Sequence, residues 1–229
     1  MDIGIATLAA SSHTWFADAT LYEGLPVLKK AGIKYLEYND QTLPAYKDLP
    51  KAEAEEIRRR CDDLDLVLWS AHSPCLEGDL SAIDAAERRA AADLHLRCIE
   101  RLGWLGVRNF VVHQVAGPWD QLPSKVGYGI ESVVELCEAG AECGVRILIE
   151  NFAPFGCFRV RDFAEQTGSR NIGIVFDIGH AHHTPVDEAE EITAWATCSS
   201  ASTSMTTTGR APGTSTYPPA TGPSIGSRC

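Results

Sequence analysis

Four short apolar segments of the sequence each end in an imidazole or a carboxylate. The segments occupy residues 66–71, 109–112, 145–149 and 172–176, and the residues that end them are His72, His113, Glu150 and Asp177. His180 follows the last of them by three positions. Short apolar runs are typical of strands that are buried on both faces of a parallel sheet. The pattern therefore predicts several strands that each present one polar side chain where the strand ends.

Helix-like segments separate these strands in a regular alternation. Residues 3–7 and 33–38 predict two further strands at the start of the chain, and Glu37 lies within the second. Strands that alternate with helices indicate a parallel sheet. About six such units favour an incomplete (β/α)₈ barrel of the TIM type, in the α/β class, over an open sheet. No glycine-rich phosphate motif follows the first strand, which argues against a dinucleotide-binding fold.

The carboxyl ends of parallel strands meet at one end of such a barrel, where the active sites of this fold lie. Carboxylates and imidazoles that converge there suit a divalent metal ion with oxygen and nitrogen ligands. Taken singly, Glu150 or Asp177 could equally be a helix N-cap, and a histidine after an apolar run is more often structural. Four consecutive strand ends of the same character favour a functional site.

Composition and charge restrict the partners of the chain. Its 229 residues suffice for one barrel-sized domain, and its net charge of −11 makes nucleic acid and anionic membranes poor partners. No apolar run approaches the length of a membrane span, and the N-terminus lacks the basic segment of a signal peptide. The eight cysteines show no C-x-x-C pair. We therefore expect free thiols and a cytoplasmic location.

The strand ends carry recognisable motifs. They are Ala71-His72-Ser73-Pro74, Val111-Val112-His113, Leu148-Ile149-Glu150-Asn151 and Phe176-Asp177-Ile178-Gly179-His180. Together they resemble the xylose isomerase-like TIM barrel family, which includes sugar phosphate isomerases and epimerases and the AP endonucleases of family 2. The resemblance extends over about residues 1–195. It implies a catalytic divalent metal, Mn, Mg, Co or Zn, with further His and Glu ligands from the seventh and eighth strands.

The resemblance also implies an isomerase or epimerase that acts on a small sugar or sugar phosphate. The metal polarises a carbonyl and the adjacent hydroxyl, and a carboxylate moves the proton on the neighbouring carbon through an enediolate. Glu150 is predicted to be catalytic and, with Asp177, to bind the metal. The residues predicted to bind substrate hydroxyls or additional metal are His72, His113, His180 and Glu37. Trp15, Phe16 and Trp119 could form an apolar wall over the sugar or belong to the core.

Two alternative functions stay open. The same strand-end residues fit an endonuclease IV-like zinc phosphodiesterase that acts on abasic DNA, although the acidic balance of the chain argues against it. Several zinc ions per chain, rather than one exchangeable divalent ion, would distinguish that enzyme. The other alternative is an inactive fragment, because the end of the sequence departs from the pattern described above.

The composition changes abruptly near residue 195. Residues 192–229 contain no Asp, Glu, Lys or His, and Ser, Thr, Gly and Pro dominate. We therefore divide the chain into a partial barrel over residues 1–195 and an irregular tail over residues 196–229. In a shifted frame the codons of residues 199–209 permit the string V-R-L-H-V-H-D-N-D-G, which is similar to the family's seventh-strand segment. We interpret the tail as frameshifted, in nature or by a sequencing error, with low-complexity disorder as the alternative.

A frameshifted or truncated tail has consequences for chemistry and assembly. Without ligands from the seventh and eighth strands, a metal on Glu150 and Asp177 alone would bind weakly, so activity would be impaired. An unclosed barrel would also leave the first and sixth strands as open edges. Open edges promote aggregation or pairing with another copy in a homo-oligomer.

Overall fold

The computed structural model of the chain describes residues 4–6, 20–39, 42, 44–74, 77–115, 122–151, 157–182, 193 and 206–208. Seven strands form one parallel sheet in chain order: β1 (Gly4–Ala6), β2 (Tyr35–Tyr38), β3 (Val67–His72), β4 (Asn109–Val112), β5 (Arg146–Glu150), β6 (Ile172–Asp177) and β7 (Thr206–Thr208). The α-helices that follow β1 to β6 are α1 (Leu21–Lys30), α2 (Lys51–Asp63), α3 (Ala85–Leu105), α4 (Leu122–Cys143), α5 (Cys157–Thr167) and α6 (Ile178–His182). The predicted α/β fold with six βα units is confirmed.

The sheet separates two apolar layers. Phe110 and Ile149 belong to the large hydrophobic core, which also contains the buried faces of the helices. Val111, Leu148 and Val175 form a second, smaller buried cluster. Because successive side chains of a strand point to opposite faces, this second cluster lies on the inner face of the sheet. The strands are therefore buried on both faces, as strands of a TIM barrel are.

A bulge in β3 determines which of its side chains reach the inner face. The register between β2 and β3 shifts after Leu36, so that Glu37 lies opposite Ser70 and Trp69 is the extra residue. Ser70 Oγ consequently donates a hydrogen bond to the Glu37 carboxylate at 3.0 Å. His72, two residues further along the strand, points to the same face.

Local sequence signals account for the bounds of helix α3. Oδ1 of Asp84 accepts hydrogen bonds from the backbone N–H groups of Ala86 and Glu87, which is an N-cap. The helix ends at Gly106, whose φ of 72° lies in the left-handed region that favours glycine. Among the helices of the described residues, none is long and apolar enough to cross a membrane.

The sequence predicts an irregular tail, but the described part of the tail contains a short strand. Thr206–Thr208 form β7, which pairs with β6 so that Thr208 lies opposite Asp177. Pairing satisfies the hydrogen-bonding groups that β6 would otherwise expose, and β-branched threonine suits a strand. Within the described residues, β6 is therefore not an open edge, whereas β1 pairs only with β2. Residues 194–205 and 209–229 lie outside the described residues, so the division at residue 196 stays a prediction.

Candidate active site

The carboxyl ends of β3 to β6 place five polar side chains around one point. His72 ends β3, His113 follows β4, Glu150 ends β5, Asp177 ends β6 and His180 lies in α6. Oε2 of Glu150 lies 2.8 Å from Nε2 of His113 and 3.3 Å from Nε2 of His72. Its other oxygen, Oε1, lies 3.9 Å from Nδ1 of His180. We call these five residues the strand-end cluster, and Glu150 is at its centre.

The strand-end cluster contains two groups of three side chains that could each hold a metal ion. The ligand atoms of His72, His113 and Glu150 lie within 4.8 Å of one another, and so do those of Glu150, Asp177 and His180. Glu150 belongs to both groups. Mixed carboxylate and imidazole donors suit Zn²⁺, Mn²⁺ and Co²⁺. The arrangement is compatible with the roles predicted for these residues, which stay predictions.

The central carboxylate is charged although it is buried. Burial by itself would raise the pKa of Glu150, but hydrogen bonds from His113 and His72 hold that pKa well below its usual range. Burial alone would lower the pKa of His72, whereas the hydrogen bond and charge of Glu150 raise it to about 9. Without metal, the pair is therefore a carboxylate and an imidazolium at neutral pH. A metal ion that binds His72 must displace a proton.

The metal-free pair of Glu150 and His72 is expected to stabilise the fold in a defined pH range. The pKa of His72 rises on folding, so its contribution is complete below about pH 6.5 and is lost as the pH rises through about 9. The pKa of Glu150 falls on folding, so its contribution is present above about pH 4.3 and is lost in stronger acid. Thermal unfolding of the wild-type protein and Glu150→Gln, both in EDTA, should differ most between these limits. A difference that stays constant from about pH 5 to pH 10 would contradict the prediction.

Asn151, the residue after β5, supports the Asp177 side of the cluster. Its Oδ1 accepts a hydrogen bond from the backbone N–H of Asp177 at 2.7 Å, and its Nδ2 donates to the Asp177 carbonyl at 3.0 Å. The backbone N–H of His180 donates to Oδ1 of Asp177 at 2.8 Å. No role for Asn151 is predicted from the sequence. The available signal is its place directly after Glu150, where a short polar side chain can reach the neighbouring strand.

Glu37 lies on the same inner face but belongs to neither ligand group. Burial raises its pKa, the charge of His72 and the Ser70 hydrogen bond oppose that shift, and the charges of Glu150 and Asp177 add to it. Glu37 is therefore protonated more readily than an ordinary glutamate and lies within electrostatic reach of the cluster. Its position is compatible with binding of a substrate hydroxyl.

Two ion pairs fasten the segment that follows His72, and neither is predicted from the sequence. Nζ of Lys125, whose side chain is 3% exposed, lies 2.5 Å from Oδ2 of Asp79, and Lys47 pairs with Glu77. Loss of one partner of a buried pair is strongly destabilising, because the other charge stays buried. The buried Lys125–Asp79 pair thus holds the β3–α3 segment at the end of the sheet that carries the cluster, and the more exposed Lys47–Glu77 pair adds a weaker contact. Trp15, Phe16 and Trp119 lie outside the described residues.

The sequence matches a known family over most of its length. The profile of the family described as xylose isomerase-like TIM barrel matches residues 25–199. No protein of curated function is significantly similar in sequence.

Solved structures with the same fold include three that are similar to this chain, and two of these three are epimerases. The chain is similar to a D-psicose 3-epimerase crystallised in the presence of D-fructose, with a TM-score of 0.71, 18% identity, and coverage of 84% of this chain and 69% of that one. It is similar to a 3-keto-D-glucoside 4-epimerase from E. coli, with a TM-score of 0.67, 16% identity and coverage of 85% and 74%. The third is a Thermus thermophilus protein, TTHB071, soaked with ZnCl₂, with a TM-score of 0.62, 22% identity and coverage of 85% and 73%. At these identities the matches show a shared fold.

Proposed function

Because the chain belongs to the xylose isomerase-like TIM barrel family, we propose that it carries the active site of a metal-dependent isomerase or epimerase for a small sugar or sugar phosphate. The observation that carries the proposal is the position of Glu150, which belongs to both ligand groups of the strand-end cluster. TIM barrels carry their active sites at this end of the sheet. The shared fold with D-psicose 3-epimerase and 3-keto-D-glucoside 4-epimerase supports the class of substrate.

We infer that Glu150 and Asp177 hold the divalent metal, Mn, Mg, Co or Zn, and that His180, in the same ligand group, is a further donor. The donor set fits such an ion, because two carboxylates and one imidazole place their ligand atoms within 4.8 Å of one another. When bound, the ion polarises the substrate carbonyl and the adjacent hydroxyl. Glu150 is nearly fully buried, which limits the access of water to its carboxylate.

The protein's own side chains then move the proton and orient the sugar. Glu150 is ionised at neutral pH, so its carboxylate can accept the proton from the carbon next to the carbonyl and then return it to a carbon of the enediolate. His72 and His113 bind its Oε2 atom and keep the carboxylate oriented. Glu37, on the same inner face and hydrogen-bonded to Ser70, can contact a substrate hydroxyl.

Proton exchange in heavy water tests this proposal. The chain with its tail returned to the family's frame is incubated in D₂O with a panel of ketoses and ketose phosphates, with Mn²⁺, Mg²⁺ or Co²⁺ or with EDTA. Deuterium should enter the carbon next to the carbonyl only when metal is present, as NMR of the sugar would detect. Comparison of the exchange rates of ketoses and ketose phosphates also shows which of the two classes the protein prefers as substrate. Metal-independent exchange would contradict the proposed chemistry.

A second candidate function is favoured by the group of His72, His113 and Glu150. This group provides a place for an ion besides the one at Asp177 and His180, as a zinc phosphodiesterase acting on abasic DNA requires. The net charge of −11 disfavours a DNA substrate. Several tightly bound zinc ions per chain, together with cleavage of a duplex that contains an abasic site, would favour this alternative.

We also propose that the tail from residue 196 is out of frame and that the chain as written is impaired or inactive. Residues 192–229 offer no carboxylate or imidazole, and β7 consists of three threonines. Thr208 lies opposite Asp177 in the sheet. The shifted frame permits histidine and aspartate in the same segment. The family resemblance implies a further His ligand from the seventh strand, which a restored segment could supply.

A further inference from the structure

We propose that Asn151 is the positioning residue for the half of the site formed by Asp177 and His180. The inference rests on the proposed function, because it gives that half the role of metal binding. Asn151 is fully buried, yet both polar atoms of its side chain are hydrogen-bonded to one residue of the neighbouring strand.

The Asn151 side chain extends the pairing of β5 with β6 by one step. The last backbone pair of the two strands joins Glu150 to Val175. Beyond it, the amide of Asn151 takes the place of a peptide group, because it accepts from the N–H of Asp177 and donates to its carbonyl. Both backbone groups of Asp177 are thereby fixed, and the direction of its side chain relative to Glu150 is fixed with them.

The backbone of Asn151 also fixes the imidazole of His180. Nδ1 of His180 lies 3.0 Å from the Asn151 carbonyl oxygen, which can only accept, so Nδ1 must carry the proton. The other nitrogen, Nε2, then has the free lone pair and is the atom of His180 that can serve as a ligand. The backbone N–H of His180 is in turn held by Asp177 Oδ1 at 2.8 Å. One residue therefore orients both side chains.

The other half of the cluster has separate supports. Nδ1 of His72 contacts the carbonyl oxygen of Ser73 at 3.1 Å, and His113 contacts Glu150 directly. A change at Asn151 should therefore act on the Asp177 and His180 group and leave His72 and His113 in place.

Asn171 offers a matched control at the opposite end of β6. Its Nδ2 donates to the carbonyl oxygens of Cys137 and Val145 at 3.0 and 2.8 Å, so Asn171→Ala removes two amide hydrogen bonds, as Asn151→Ala does.

Co²⁺ binding to the chain as written is followed by the visible absorption of the ion, and thermal unfolding in EDTA measures stability. We expect both variants to lose stability, and only Asn151→Ala to bind Co²⁺ about 10- to 100-fold more weakly with an altered absorption spectrum.

The outcomes separate the inference from the proposed function. Equal Co²⁺ affinity in Asn151→Ala and wild type, or an equal loss in Asn171→Ala, would overturn the positioning role. A wild-type chain that binds no Co²⁺ would contradict the metal site itself. In that case, or if Asn151→Ala does not fold, ¹⁵N NMR of the wild-type imidazoles tests the part of the inference that concerns His180, which is its contact with the Asn151 carbonyl. A neutral His180 protonated at Nδ1 supports it, and protonation at Nε2 overturns it.

Discussion

Glu150→Gln, in a chain whose tail has been returned to the family's frame, is expected to lower kcat by about a thousandfold or more. Glutamine keeps the size of the side chain but removes the charge that both ligand groups share. The substitution therefore removes a proton acceptor. Because the lost charge also belongs to the ligand groups, the substitution weakens the polarisation of the substrate as well. Steady-state assays with the best ketose of the panel, at saturating metal, would measure the effect.

The control for this variant is Glu135→Gln on α4. Oε2 of Glu135 pairs with Nη1 of Arg89 at 2.8 Å, and its side chain is 41% exposed, so the same change of charge occurs outside the cluster. This variant should keep the wild-type kcat. Retained activity in Glu150→Gln would place the active site elsewhere in the chain.

The sequence could predict that the residues of the strand-end cluster lie close together, because their proximity depends on topology rather than on side-chain packing. Each buried strand leaves a short apolar run in the sequence, and the polar residue that ends the run marks the carboxyl end of the strand. Connections in such folds are right-handed and return to the same sheet in parallel, so the carboxyl ends of the strands meet at one end of the sheet. His72, His113, Glu150 and Asp177 could therefore be brought together without knowledge of any contact.

The supports of the site could not be predicted, because they depend on register and on contacts between distant residues. The extra residue at Trp69 decides that Ser70 meets Glu37, and no local pattern marks that bulge. The amide of Asn151 acts on a residue 26 positions away. The threonines of β7 show no strand periodicity, and they become a strand through pairing with β6.

A one-base shift that restores the family's frame near codon 196 is expected to turn a chain with little or no isomerase activity into an active, metal-dependent enzyme. The written tail offers no carboxylate or imidazole side chain from residue 192 onward, so it adds none to the donors of the strand-end cluster. The shifted frame permits histidine and aspartate in the segment that pairs beside Asp177. A completed ligand set should raise metal affinity and activity together, because affinity and geometry both depend on the number of donors.

The third reading frame of the same codons is the matched control, since it changes the tail without supplying the family's string. Activity and Co²⁺ affinity of the three chains should be measured in parallel, with resequencing of codons 194–229 and mass spectrometry of the native C-terminus. We expect both quantities to rise only in the restored frame. Full activity in the chain as written would contradict the proposed impairment. It would mean that the strand-end cluster suffices, or that another copy of the chain completes the ligand set.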